Sequence, residues 1–172
     1  MKAPIRMTHQ LTLKGDFEMN NENIVIIKNA RLLFRNFAGL PTRYCKEGGK
    51  RTFNVVLQPE LAAEMEADGW KIRYLDPRDP DENPTPILEV AVNFGGFKPP
   101  RVVKICGGRK EILDETSVRE LDYAEIERAD VSIRPYNWNV NGTTGIKAYL
   151  KSLYVTLYQD ELEEDYDELP FI

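Results

Sequence analysis

Histidine is nearly absent from this 172-residue chain: His9 is the only one, and it lies in a stretch with no sustained hydrophobic period. No Cys/His or Ser/His pair can be assembled around it, nor an imidazole metal cluster, which removes the hydrolase classes that depend on them. Cysteine is scarce too. Cys45 and Cys106 have no CxxC spacing and no Cys or His neighbours, so they are expected as ordinary reduced thiols and not as a metal site or disulfide framework. Long apolar runs are missing: the longest, such as residues 24–27, fall far short of the ~20 residues that span a bilayer. The N-terminus has basic residues but no apolar signal core. A soluble, cytoplasmic protein is the expectation. Phosphate-cradling loops are missing as well, since GGRKE lacks the Lys-Ser/Thr ending and VNGTTG lacks a strand-to-helix context. The acidic run DPRDPDENP (76–84) carries three prolines and an arginine and reads as a solvated inter-strand loop in preference to a cation site. Neither enzymatic activity nor a cofactor or metal is expected.

Basic charge is missing from one place in particular. The chain has 23 Lys+Arg and 28 Asp+Glu, a formal charge of −5. Its last thirteen residues, DELEEDYDELPFI, hold seven carboxylates and no Lys or Arg, which leaves residues 1–159 at +2. Segregation of one sign of charge to one end marks an interaction tail on a globular body. The expected organisation is a loosely held arm over residues 1–22, one globular domain over 23–159, and an acidic tail over 160–172. A body of this size needs no staple to bury a core.

What is abundant is β signal. Candidate strands are NIVIIKNARLLFRNF (23–37), RTFNVVL (51–57), WKIRYL (70–75), ILEVAVNF (87–94), RVVKIC (101–106), VSIRPYNWNV (131–140) and GIKAYLKSLYVTLY (145–158), rich in β-branched and aromatic residues. Gly48-Gly49, Gly95-Gly96, Gly107-Gly108 and Asn141-Gly142 supply the turns between them, the last a hairpin signal. PELAAEMEADG, with Pro59 at a first helical position, Leu61 and Met65 on one face and Gly69 as the stop, predicts one short helix. Residues 114–129 contain Ser117-x-x-Glu120, a capping-box pattern, and predict one or two helical turns. Many short strands with a single plug-like helix predict a mainly β fold, an OB-like small β-barrel with one or two short helices.

The basic residues are placed where a polyanion could be held. Lys98, Arg101, Lys104, Arg109 and Lys110 lie between Glu89 and Glu111 with no intervening acid and with Phe94 and Phe97 beside them. Arg43, Lys46, Lys50 and Arg51 surround Gly48-Gly49, with Tyr44 among them. Taken alone, either cluster also fits a solvated turn or a charged edge strand. Alternation on the later strands tips the balance. Arg134, Tyr136 and Trp138 share one face of VSIRPYNWNV, and Lys147, Tyr149 and Lys151 share one face of GIKAYLKSLYV. Rings on which bases stack, with cations between them for phosphates, are what a single-stranded nucleic acid groove needs. The competing reading puts Tyr136 and Trp138 inside the barrel. The face of Lys147, Tyr149 and Lys151 continues as Leu153, Val155 and Leu157, which are apolar, so a bulge near Lys151 and Ser152 is expected if the groove reading holds.

The tail ends in a compact apolar tip after its carboxylates, which reads as a peptide ligand: the tip for a partner's pocket, the acids for its basic rim. The same carboxylates can compete with phosphates for the protein's own cations. At its end the chain resembles the single-stranded-DNA-binding proteins of bacteria and tailed phages, whose acidic tails often finish Asp-Asp-Asp-Ile-Pro-Phe. Asp165, Asp167, Glu168, Leu169, Pro170 and Phe171 match that pattern, and Ile172 extends it by one residue. The tail joins the last strand without a Gly/Pro/Gln-rich linker, and the body looks like the divergent phage type, with NARLLFRNF and GIKAYLKSLYV where such sequences carry similar strands. The resemblance implies an OB-fold body that coats single-stranded DNA during replication or recombination in a bacterial host cell. It also implies recruitment of replication proteins through residues 160–172, with residues 165 and 167–172 as the partner-binding end, and a monomer or homodimer is expected. Two other readings stay open: a β-rich adaptor or virion-associated module, and a DNA-mimic inhibitor acting through its acidic tail.

Overall fold

The computed structural model describes residues 17–19 and 23–159; the tail over 160–172, and all of the arm except its residues 17–19, lie outside the described residues. Ten strands form one mixed sheet. In chain order they are β1 (Phe17–Met19), β2 (Val25–Ile27), β3 (Leu32–Asn36), β4 (Thr52–Val56), β5 (Arg73–Leu75), β6 (Thr85–Ala91), β7 (Arg101–Cys106), β8 (Arg109–Leu113), β9 (Ile126–Val140) and β10 (Thr143–Leu157). Among the described residues one α-helix, α1 (Pro59–Asp68), joins β4 to β5, and a 3-10 helix, Ser117–Asp122, precedes β9. The main path through the sheet is β1-β2-β9-β10-β6-β4-β3, with β5 on β6 and the β7–β8 hairpin on β10.

The fold is mainly β and OB-like, as expected, but the hydrogen-bonded path stays open and does not close as a barrel. The reason lies in the stretch that reads as one strand over 23–37. A turn at Lys28–Asn29 breaks it, with Asn29 at φ 52. The N–H of Asn29 donates to Asp130 Oδ1 and that of Ala30 to the Ala129 carbonyl. The two halves then pair with different neighbours, β2 with β9 and β3 with β4. Strands near opposite ends of the path are thus joined by four residues, a reach of no more than about 18 Å over five Cα–Cα steps, so the sheet curls on itself around its core.

That core is built by alternation. Phe53 and Val55 of β4, Leu88 and Val90 of β6, Val131 and Ile133 of β9 and Leu153 and Val155 of β10 are all buried. Phe37 stacks on Phe53 with ring centroids 5.2 Å apart. Helix α1 covers part of this core with Leu61, Ala62 and Met65. It starts at Pro59, whose missing N–H is not needed at a first helical position. It stops at Gly69, which takes φ 111 and donates its N–H to the Glu66 carbonyl.

Three local expectations are corrected. RKEIL forms β8, which returns on β7 through Gly107 and Gly108 at φ 59 and 77; charged side chains on an exposed edge strand hide its alternation. Strand β9 begins at Ile126, five residues before the expected start. Ser117 does not cap the 3-10 helix. Asp114 does that work, accepting from the N–H groups of Thr116 and Ser117 and bonding the Ser117 hydroxyl, while Glu120 reaches Lys104 at 2.8 Å. The backbone and hydroxyl of Ser117 hold the Asp114 carboxyl below its ordinary pKa.

Candidate nucleic-acid interface

Strands β9 and β10 form a long antiparallel ribbon, and its register sorts their side chains. Cross-strand pairs run Trp138 with Gly145, Tyr136 with Lys147 and Arg134 with Tyr149. These residues share the outer face, while Ile133, Ala148 and Leu150 point into the core. Between Leu150 and Ser152 the register shifts, leaving Lys151 as an extra residue in β10. The expected bulge is therefore present. It resets the alternation, so that Leu153 and Val155 turn inward although Lys147 and Tyr149 turn outward. At the same point the neighbour of β10 changes: β6 pairs with Ala148 and Tyr149, and β7 with Ser152–Thr156.

On the outer face Tyr136 meets Tyr149 edge to face at 5.9 Å, and the Lys147 ammonium lies 5.2 Å from the Tyr149 ring centre. The loop between β6 and β7 rises beside them. Its shape comes from Asn93, whose side-chain oxygen accepts the Gly95 N–H and whose amide packs against Gly96 so closely that a Cβ there would stand 2.9 Å away. Ribbon and loop enclose a cleft of about 430 Å³ that brings together Phe97, Lys98, Arg134, Tyr136 and Tyr149, with Asn93, Gly96, Pro135 and Leu150 completing it. Phe97 is 98% exposed. The lining holds two cations and no carboxylate, so a phosphate meets attraction there and a base meets three rings.

Trp138 sits apart. It lies across Gly145 and borders a second, smaller recess with Asp68 and Gly69 at the end of α1. The main-chain amide of Ile146 in β10 is tied to the Gly69 carbonyl, so the helix end holds this part of the ribbon.

The remaining expected residues fall into three places. The β3–β4 loop presents Arg43, Tyr44, Lys46 and Lys50 to solvent, folded around Thr42, whose hydroxyl accepts from the N–H groups of Tyr44 and Cys45. It adjoins the cleft's loop through Arg51, whose carbonyl accepts the Val92 N–H. The Arg51 guanidinium covers Phe94 at 5.7 Å, donates to the Phe37 carbonyl at 2.6 Å and stands 3.8 Å from Glu115. Arg51 and the half-buried Phe94 thus clamp two loops together.

On β7, Arg101 is exposed opposite Ser152, next to the half-buried Lys151. Lys104, half-buried, is engaged at the surface by Glu120 at 2.8 Å and Glu111 at 3.2 Å. The hydrogen bond it donates to Glu120 raises its pKa above the ordinary lysine value, against the opposing effect of partial burial. Arg109 and Lys110 are exposed on β8 just past the hairpin turn, where Gly107 lies against Gln159. Eight residues of β10 separate that end from Tyr149, about 25 Å at strand rise. The structure gathers five of the expected residues in one cleft and leaves Arg109 and Lys110 at the opposite end. Sequence reasoning missed Asn93; its signal is the Asn-Phe-Gly-Gly spacing, in which a side-chain amide can close a turn over a small residue.

A family model described as "Putative phage ssDNA-binding domain" matches residues 16–172. Two solved structures share the fold. The single-stranded DNA-binding protein from bacteriophage Enc34 in complex with ssDNA aligns at TM-score 0.56 and 12% identity, over 86% of this chain and 93% of that one. The same phage protein in a second structure aligns at TM-score 0.55 and 12% identity, over 90% and 96%. No curated protein sequence matches this one.

Proposed function

The chain belongs to the phage single-stranded-DNA-binding domain family, and from that premise we propose that it binds single-stranded DNA without sequence preference, through the outer face of the β9–β10 ribbon and the cleft beside it. The observation that carries this reading is the convergence of Phe97, Lys98, Arg134, Tyr136 and Tyr149 on one recess free of carboxylates. Rings stack with any base, and cations follow a backbone that is the same for every sequence, so the site selects single strands and not a particular sequence. The exposed Arg43, Lys46 and Lys50 of the β3–β4 loop extend the cationic surface beside the cleft. The protein acts by binding and not by catalysis. Its place is the replication or recombination of phage DNA in the host cytoplasm. Residues 160–172 recruit replication proteins, with the carboxylates Asp165, Asp167 and Glu168 on a basic rim and Leu169, Pro170, Phe171 and Ile172 in an apolar pocket.

Titration with oligo-dT tests the reading. Trp138, on the ribbon, is expected to lose fluorescence on binding, and the log–log slope of affinity against salt is expected to flatten by about 0.7 in Arg134→Ala, the share of one phosphate contact on a single strand. Removal of residues 160–172 tightens binding at low salt, since it removes a competing polyanion. Absence of both quenching and a gel shift at low salt refutes the proposal.

A further inference from the structure

Two glycines lie in the β9–β10 hairpin for different physical reasons. Gly142 takes φ 83 in the turn and has open space around it, so its role is conformational. Gly145 is already within β10, has no left-handed φ, and faces Trp138 across the ribbon. Nothing in its backbone requires glycine. A Cβ there would stand 2.5 Å from Trp138 Cζ2, 2.7 Å from Cε2 and 2.9 Å from Nε1, well inside the ~3.5 Å at which carbons touch. The indole therefore rests on bare backbone. A strand-interior glycine weakens a strand, and cover from a cross-strand aromatic ring offsets that loss.

We propose that Gly145 is a positioning residue for single-strand binding: its missing side chain lets the Trp138 indole lie against β10, as the outermost ring of a row that continues through Tyr136 and Tyr149. The inference rests on the reading of the ribbon's outer face as the strand-binding surface. The rungs are set by the register, Trp138 opposite Gly145, Tyr136 opposite Lys147 and Tyr149 opposite Arg134. Successive rungs are two residues apart, about 6.6 Å, comparable with the spacing of bases along an extended strand. Any side chain at position 145 lifts the indole off this line while leaving Tyr136 and Tyr149 in place.

The test is a double-mutant cycle on the full chain with labelled oligo-dT, using Gly145→Ala, Trp138→Ala and the pair. Trp138→Ala is expected to weaken binding between about 5-fold and 150-fold, the range for losing one stacked base. Gly145→Ala is expected to weaken it comparably in the parent and not at all in the Trp138→Ala background. Without DNA, Gly145→Ala should also shift tryptophan emission to the red, a change assignable to Trp138 because Trp70 is only 4% exposed. Equal losses from Gly145→Ala in both backgrounds would show that the glycine serves the hairpin and not the ring, and overturn the inference. So would full affinity in Gly145→Ala while Trp138→Ala is impaired, or full affinity in Trp138→Ala. Should Gly145→Ala alone not fold, it is combined with Trp138→Phe, whose smaller ring leaves room for the methyl. That pair binds as Trp138→Phe does if the ring is what Gly145 accommodates, and stays unfolded if it is not. Failure of the parent protein to bind oligo-dT refutes the strand-binding reading instead, and the emission shift still reports the contact.

Discussion

Two deletions in β10, Lys151 alone and Lys151 together with Ser152, have opposite consequences that can be worked from the register. Lys151 is the extra residue of the ladder, and Ala148 and Leu150 before it and Leu153 and Val155 after it all face the core, each at most 2% exposed. Removing Lys151 alone leaves Leu150 inward, Ser152 outward and Leu153 inward, so regular alternation keeps all four in the core. Removing Ser152 as well sets Leu150 beside Leu153, and strict alternation then forces one half to turn over. If the second half turns, Leu153 and Val155 go to solvent, at roughly 1.5 to 3 kcal/mol each. If the first half turns, Ala148 and Leu150 go, at about 2 to 4 kcal/mol together, and Tyr149 leaves the cleft. The cheaper slip sets the expectation for the double deletion. It takes about 2 to 4 kcal/mol from a stability that is typically 5 to 15 and lowers Tm by roughly 5 to 15 °C for a domain of this size. It also removes single-strand binding from whatever stays folded. Thermal melts and oligo-dT titrations of the two deletions are the assay. The single deletion should melt well above the double and keep its affinity for oligo-dT, because no core side chain turns outward. A single deletion that loses as much Tm as the double, or a double deletion with parental Tm and parental affinity, would refute the account of the bulge.

Two further outcomes are expected. Arg35 of β3 donates from one nitrogen to the carbonyls of Leu121 and Ala124, at 2.7 and 2.8 Å, so Arg35→Ala should cost about 2 kcal/mol and lower Tm by about 4 to 8 °C without altering the salt slope of DNA binding; an unchanged melt counts against it. The Asp114 carboxyl, held below its ordinary pKa of 3.8 chiefly by Ser117, contributes stability that is fully present above that ordinary value and is lost as pH falls through the lower folded value. Melts of the parent below pH 4 should therefore decline more steeply than those of Asp114→Ala, and parallel profiles would exclude the role given to this cap.

Much of the fold is legible in consecutive residues. The helix announces itself through Pro59 and Gly69, and the last hairpin through Asn141-Gly142. The bulge at Lys151 follows from a conflict internal to one strand: a basic and aromatic face cannot become an apolar one without a shift of register. The strand β8 was not legible, because its exposure pattern leaves only Leu113 buried and alternation has nothing to mark. The split of residues 23–37 was hidden for the opposite reason, since both halves are apolar and only their different partners reveal the turn. Of the site, the ribbon face was readable from alternation, and the loop with Phe97 and Lys98 from its charge. That these meet across one cleft, while Lys104 is drawn to Glu111 and Glu120, was not.

Local chemistry thus accounts for the mainly β character, the helix, the turns, the ribbon's two faces and the separation of charge, because each depends on period-two spacing, turn preference or a count along the chain. Long-range pairing accounts for the rest. Which strands neighbour β10, where the β2–β3 turn curls the sheet, and which cations stay exposed and which are held by carboxylates or carbonyls depend on residues tens of positions apart. Gly145 shows the difference most plainly. In the sequence it is a glycine near a turn, and only the residue across the ribbon makes it the floor beneath Trp138.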